Sequence, residues 1–439
     1  MPKHSAERSA TISALLLACR HSDTNGRQAQ GWPSLLDRGI DWNLFLTLGE
    51  HHDLVPLLFS GLEHAPTERL PQSLMPFLRG HFQANHLRNR LALQCFLGAE
   101  AALAEAGIPV LMLKGLALAT TVYEHLAARQ FGDVDLLIPE KQVAQARDIV
   151  ERLDYRPVYP PNMLRDLNVQ RLTPNQERVY SAYYHELTLQ SQDALFQLDM
   201  HWALVPRHFP IISDCRAIWQ DARRTTYGGR TLSVLSTELQ VIHTCIHAAK
   251  DRWRKLKWVV DLDRIVRTNS RRGREQLDWE RLAWYAKAWK SRRMLSTGLG
   301  LARRLLETPV PEPVSRLLIN DASETDLSAV LETLLHPEIP EPRILRCLGI
   351  NTTILRLLDT NACRRRYLLQ ALTMPRPEDE ALFGPGPPNG ALWKFRRPLW
   401  VLARCVGRVG RTRRNDSHWF DPAQSAPDGG SRRRDITRS

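Results

Sequence analysis

The segment "RQFGDVDLLIP" (residues 129–139) constrains this chain more than any other stretch. Val134, Leu136 and Ile138 alternate with polar positions, the period-2 pattern of a strand with a buried face. Asp133 and Asp135 therefore project together from the other face. Two carboxylates side by side on a rigid element repel unless a cation neutralises them. Paired oxygen ligands of this kind suit a hard divalent ion such as Mg²⁺ (or Mn²⁺).

The stretch "LFQLDMHW" (195–202) repeats the pattern, with Phe196, Leu198 and Met200 alternating with Gln197, Asp199 and His201. With "YYHELTLQ" (183–190) before it and the polar "SQDA" between, it reads as one half of a strand pair. If this strand lies beside that of Asp133 and Asp135, Asp199 becomes the third carboxylate of one cluster. Three acids can hold divalent ions that clamp an in-line phosphoryl or nucleotidyl displacement.

The surroundings give the fold class. "IPVLMLKG" (108–115) reads as a short strand, "GLALATTVYEHLAA" (115–128) as a helix, and residues 140–154 as a second helix opened by Pro139. Val143, Ala146, Val150 and Leu153 would form that helix's apolar face. Helical texture precedes this core and returns after it. The expectation is an α+β protein: a small mixed-sheet core (residues 106–235) flanked by an N-terminal helical region (1–105) and a C-terminal helical domain (236–375). Residues 157–182 read as an insertion, and 376–439 as a Pro/Gly linker followed by a basic, disordered tail.

Charge sharpens the division. From residue 391 onward twelve Lys and Arg face four Asp, so +8 of the net +13 falls in the last 49 residues. The basic balance describes the tail, which could touch nucleic acid or anionic membrane weakly and without specificity. No run approaches the length of a membrane span. The seven cysteines are scattered, without a CxxC pair, which fits neither a disulfide framework nor a zinc site and points to the cytoplasm. "ISALLLACR" (12–20) resembles a lipoprotein box, but Ile12, Leu15, Leu16 and Cys19 share one face of a helix, and an amphipathic helix is the better reading. GxSxG, Walker A and GxGxxG motifs are absent, which leaves serine hydrolase, P-loop and dinucleotide chemistries without support.

"LMLKG" (111–115), Arg129, "DVDLLI" (133–138), "LDMHW" (198–202) and "HAAKDRWRKLKWVVDL" (247–262) occur in that order. As an ordered set they resemble the nucleotidyltransferase superfamily, the fold of DNA polymerase β and aminoglycoside adenylyltransferases. The nearest resemblance is to a bacterial branch known as uncharacterised nucleotidyltransferases, over roughly residues 30–370. The resemblance implies transfer of a nucleoside monophosphate from an NTP to an unknown hydroxyl acceptor. Asp133, Asp135 and Asp199 would be catalytic and bind metal, with Asp199 acting on the acceptor hydroxyl. Lys114, Gly115 and Arg129 would bind nucleotide phosphate, Gly115 by letting the backbone approach closely. Lys114 departs from the wider superfamily, which has Gly-Ser or Gly-Gly at this turn. The alternative is a catalytically degenerate fold that binds nucleotide or protein without turnover. His243 and His247 read as packing residues and His201 as a cap on the sheet. His247, Lys250, Arg254, Lys257 and Asp261 would line one helical face, usually a solvated one, or one that borders the cleft.

Overall fold

The computed structural model describes residues 2–20, 27–63, 65–159, 172–191, 196–211, 215–268, 277–316, 324–335 and 350–374. The expected linker and basic tail lie outside the described residues. The helices used below are α1 (Pro2–Cys19), α2 (Arg27–Asp37), α3 (Trp42–His51), α4 (Val55–Leu62), α5 (Leu74–Glu105), α6 (Lys114–Thr121), α7 (Val143–Glu151), α8 (Pro174–Tyr183), α9 (Cys215–Gln220), α10 (Thr237–Lys250), α11 (Lys257–Thr268), α12 (Trp279–Ala288) and α13 (Arg292–Leu306). Among the described residues, no helix is long and apolar enough to cross a membrane.

Seven strands form one mixed sheet: β1 (Leu111–Met112), β2 (Asp133–Leu137), β3 (Tyr155–Val158), β4 (Glu186–Ser191), β5 (Gln197–His201), β6 (Arg223–Tyr227) and β7 (Arg230–Val234). Their order is β3-β4-β5-β2-β1-β7-β6. β2 pairs parallel with β5, and β1 with β7; the other neighbours are antiparallel. The mixed sheet agrees with the sequence expectation, but β3, β6 and β7 were not foreseen. The presumed insertion at 157–182 contributes the end of β3 and all but the last residue of α8. Pro174 at the first helical position and a Thr173–Gln176 capping box start that helix. β6 and β7 are joined by Gly228 and Gly229, both at positive φ (56° and 76°), the two-residue glycine turn that suits a hairpin.

One sheet face is apolar. Val134 and Leu136 of β2, Leu187 and Leu189 of β4, and Leu198 and Met200 of β5 are buried there. They pack in a cluster with Phe96, Ala99 and Leu103 of α5 and Ala146 and Val150 of α7. Leu153 does not join them: α7 ends at Glu151, and Leu153 is exposed. A second apolar cluster draws residues of α1, α3 and α4 together with α10, α11 and α13. α1 is a helix as expected, and Leu15 and Cys19 of the expected face are buried, but Ile12 and Leu16 are half-buried while Ala10, Thr11, Ala14, Leu17 and Ala18 are buried in their place. The offset follows from α4. A Cβ on Gly61 would stand 2.0 Å from the Ala18 carbonyl oxygen, so the two backbones cross there and the side chains around Ala18 must turn inward.

The segment before β2 is fastened at several points. Asn85 and Asn89 of α5 donate to the carbonyls of Leu126, Ala127 and Arg129 over 2.7–3.1 Å. Arg88 donates to the carbonyls of Phe131 and Gly132. Arg129 closes on Asp261 of α11 with both forks, Nε–Oδ1 and Nη2–Oδ2 each 2.8 Å, and Tyr123 donates to the same carboxylate. Asp261 is fully buried and does not belong to the expected solvated face, whose other members, His247, Lys250, Arg254 and Lys257, are half-buried. The face is not on one helix either: α10 stops at Lys250, Arg252 and Trp253 take positive φ, and α11 restarts at Lys257. The intervening loop is tied to the end of α3. The Leu256 N–H donates to His52 Nδ1 (3.2 Å), and Asp53 pairs with Lys255 and Lys257.

Two stability measurements test this frame. Arg129→Ala leaves the Asp261 carboxylate buried and unpaired, and should cost about 3–5 kcal/mol in denaturant unfolding. An unchanged midpoint would show that the pair does not hold the fold. Burial, with His51 and Lys255 nearby, pushes the His52 imidazole from 6.5 down to about 3. The unfolded chain therefore takes up this proton first. Stability should fall as pH drops from 6.5 toward 3, by up to about 1.4 kcal/mol per unit for this one group. His52→Gln should lower stability at pH 7 and flatten the acid limb of a pH series by that one proton.

Candidate active site

The polar face of the sheet carries the site. In the parallel register of β2 and β5, Asp135 stands opposite Asp199, and Asp133 opposite Gln197. In the antiparallel register of β4 and β5, Glu186 stands opposite His201, and Thr188 opposite Asp199. Because alternate residues share a face, Asp133, Asp135, Asp199, His201 and Glu186 all project to one side. Asp135 is 1% exposed; Asp133, Asp199 and Glu186 are half-buried.

Lys114 enters from the end of β1. The Leu113 N–H donates to the Asp135 carbonyl (3.0 Å), and the chain turns into α6 at the next residue. Lys114 has a φ of 44°, the left-handed region that side chains other than glycine rarely adopt. Its ammonium lies 2.6 Å from Asp135 Oδ1 and 3.2 Å from His201 Nε2. His201 bridges two carboxylates: Nε2 is 2.8 Å from Asp135 Oδ1, and Nδ1 is 3.1 Å from Glu186 Oε2. His185 Nε2 approaches Glu186 Oε2 at 3.5 Å.

The charges divide the acids. Burial alone would raise the Asp135 carboxyl, but Lys114 and His201 outweigh it and hold the group at about 2. Burial, reinforced by the charges of Asp133, Glu186 and Asp135, drives Asp199 well above the carboxylate range. The charge on Asp135, then burial, raises Asp133. Burial and four carboxylates act in opposite directions on Lys114, and the carboxylates win, so it stays a cation.

Asp135, Asp199 and His201 can offer ligand atoms within 4.8 Å of one another, and so can His185, Glu186 and His201. Asp135 Oδ2 and Asp199 Oδ1 are buried and have no hydrogen-bond partner among the described residues. An orphaned carboxylate oxygen in the interior is costly unless something binds it. Two such oxygens on adjacent strands are hard donors, and they fit Mg²⁺ or Mn²⁺.

The remaining expected residues lie differently. Gly115 is buried in the first turn of α6. A Cβ there would sit 2.6 Å from Phe131 Cβ and 3.1 Å from Arg129 Nη1, so the glycine makes room for the segment before β2. Arg129 is only 7% exposed, and its guanidinium is committed to Asp261 rather than to the carboxylate face. His243 is buried in α10, and burial takes its imidazole down to about 3, which agrees with a packing role. His201 is part of the cluster rather than a cap on the sheet. Glu186 and His185 were missed altogether. The alternation of Glu186 and Thr188 with Leu187 and Leu189 carried a signal for Glu186, but only the β4–β5 register places it opposite His201.

The solved structures of the antibiotic-resistance factor ANT(2'')-Ia, in solution and in complex with adenylyl-2''-tobramycin, align with this chain at 15% and 17% identity. Each alignment covers 46% of this chain, and 94% and 98% of the other chain, with a TM-score of 0.30. No curated protein matches the chain. A family described as uncharacterised nucleotidyltransferase matches residues 38–307, a span that contains every side chain of the carboxylate cluster and the helices that frame it. By that match, over more than half its length, the chain belongs to this nucleotidyltransferase family.

Proposed function

We propose that the chain transfers a nucleoside monophosphate from an NTP to a hydroxyl acceptor, with Mg²⁺ or Mn²⁺ held by Asp133, Asp135 and Asp199. The observation that carries this reading is the pairing of Asp135 with Asp199 across β2 and β5, with one buried, unpartnered oxygen on each. A bound divalent ion would neutralise triphosphate charge and polarise the attacking oxygen. Asp135, kept ionised by Lys114 and His201, is the permanent anion of the site. Asp199 has the opposite character. Its Oδ1 has no partner among the described residues, and as the ionised carboxylate it can take the acceptor hydroxyl's proton. The acceptor oxygen then bonds to the α-phosphorus, the bond to the leaving pyrophosphate breaks, and the proton rests on Asp199. The ammonium of Lys114 supplies positive charge beside the phosphates. Arg129 and Gly115 support the site from behind, by fixing the segment that leads into β2.

Binding without turnover is the competing reading, and one observation favours it: Lys114 already occupies Asp135 Oδ1. Pyrophosphate release separates the two. Asp133→Asn and Asp135→Asn should each abolish Mg²⁺-dependent NTP binding in calorimetry, and unchanged affinity in both would remove the metal assignment. Asp199→Asn should keep NTP affinity within several-fold while turnover falls by roughly 10²–10⁴, the usual worth of a general base. A wild-type protein that binds Mg²⁺·NTP but releases no pyrophosphate with any acceptor would establish the binder instead.

A further inference from the structure

The position of Lys114 carries a second conclusion, which rests on reading the carboxylates as a metal site. Its ammonium is within contact of Asp135 Oδ1 and of His201 Nε2, and its charge is felt by Asp135, Glu186, Asp133 and Asp199 together. The side chain is only 16% exposed, and its backbone is held in the left-handed region between β1 and α6. This is a built position, not a surface lysine that has fallen onto an acid. It uses one oxygen of Asp135 and leaves the other, Oδ2, with Asp199 Oδ1 as the two buried carboxylate oxygens that have no partner among the described residues.

We propose that Lys114 is a tethered cation that takes the place of one of the two ions a three-carboxylate site could hold, so that the protein loads a single divalent ion, on Asp135 Oδ2, Asp199 Oδ1 and the Asp133 carboxylate. Three features support this. The Asp135 oxygen that a second ion would need is already engaged by two cationic or hydrogen-bonding groups, Lys114 and His201. A divalent ion placed on that oxygen would stand within a few ångströms of the Lys114 nitrogen, itself 2.6 Å from the oxygen, and two cations at that range in a poorly solvated site repel strongly. When no metal is present the lysine also offsets part of the charge of the four carboxylates, together with Lys250, which acts on Glu186, and Lys257, which acts on Asp133. A fixed ammonium cannot dissociate, so the site keeps part of its positive charge at any metal concentration.

The experiment counts ions. Mn²⁺ is titrated into the full chain, followed by electron paramagnetic resonance and calorimetry, with and without a non-hydrolysable NTP analogue. The wild type should take one Mn²⁺ per chain in both conditions, and the Mg²⁺ dependence of analogue binding should show a Hill slope of one. Lys114→Met should take two, and Lys114→Arg one. Two ions in the wild type would overturn the inference while leaving the metal reading intact, since the lysine would then be a displaceable placeholder. One ion in a folded Lys114→Met would also overturn it. No Mn²⁺ bound to the wild type in either condition would remove the inference and the metal reading together. If Lys114→Met does not fold, the wild-type count and its Hill slope still decide the question.

Discussion

The parallel pairing of β2 with β5 is the constraint on which the rest of the structure depends. It sets Asp135 against Asp199 on neighbouring strands, with Asp133 two residues away on the same face. Like charges at that spacing, largely withdrawn from water, destabilise a fold unless they are compensated. The compensation is asymmetric. Lys114 and His201 both attend Asp135, while no partner reaches Asp199 Oδ1 among the described residues. One carboxyl is therefore held ionised and the other pushed toward protonation, the divergence that lets two chemically identical groups take different roles.

Rigid elements hold this arrangement. The acids stand on strands whose opposite face is packed against α5 and α7, so the polar face inherits the stiffness of an apolar core. The approach to β2 is pinned from two directions, by Asn85 and Asn89 on α5 and by Asp261 on α11. Arg129 belongs to that frame. A buried guanidinium with both forks closed on a carboxylate is a positional device, because either partner alone would be an uncompensated charge in the interior.

The sequence was informative where the physics is local. Alternation in "DVDLLI" and "LDMHW" identified the strands and the faces of Asp133, Asp135 and Asp199, since side chains two apart on a strand must share a face. It was misleading where the partner is distant. Arg129 lies four residues before Asp133 and suggests a phosphate ligand, yet its partner is 132 residues further along the chain. Asp261 looked like a solvated helix position because the sequence pattern runs on through residues 251–256, where the helix breaks at the positive φ of Arg252 and Trp253 and the loop meets His52 and Asp53, distant in sequence. The hairpin of β6 and β7 carried a readable signal in its two glycines, but its strands, "RRTTY" and "RTLSV", lack the clean apolar alternation that would have drawn attention to them.

What the sequence determined by itself was therefore the chemistry available: acids on one face of two strands, a lysine at the end of a third, and apolar faces enough to bury them against helices. What only the tertiary structure decided was which of those groups meet. The β2–β5 and β4–β5 registers brought Asp199, His201 and Glu186 to Asp135, and the turn into α6 brought Lys114. Register and burial are properties of the assembled sheet. They fix distances of a few ångströms between residues tens of positions apart, and those distances, through desolvation and Coulomb interaction, decide which carboxylate is ionised and which oxygen is left for a ligand.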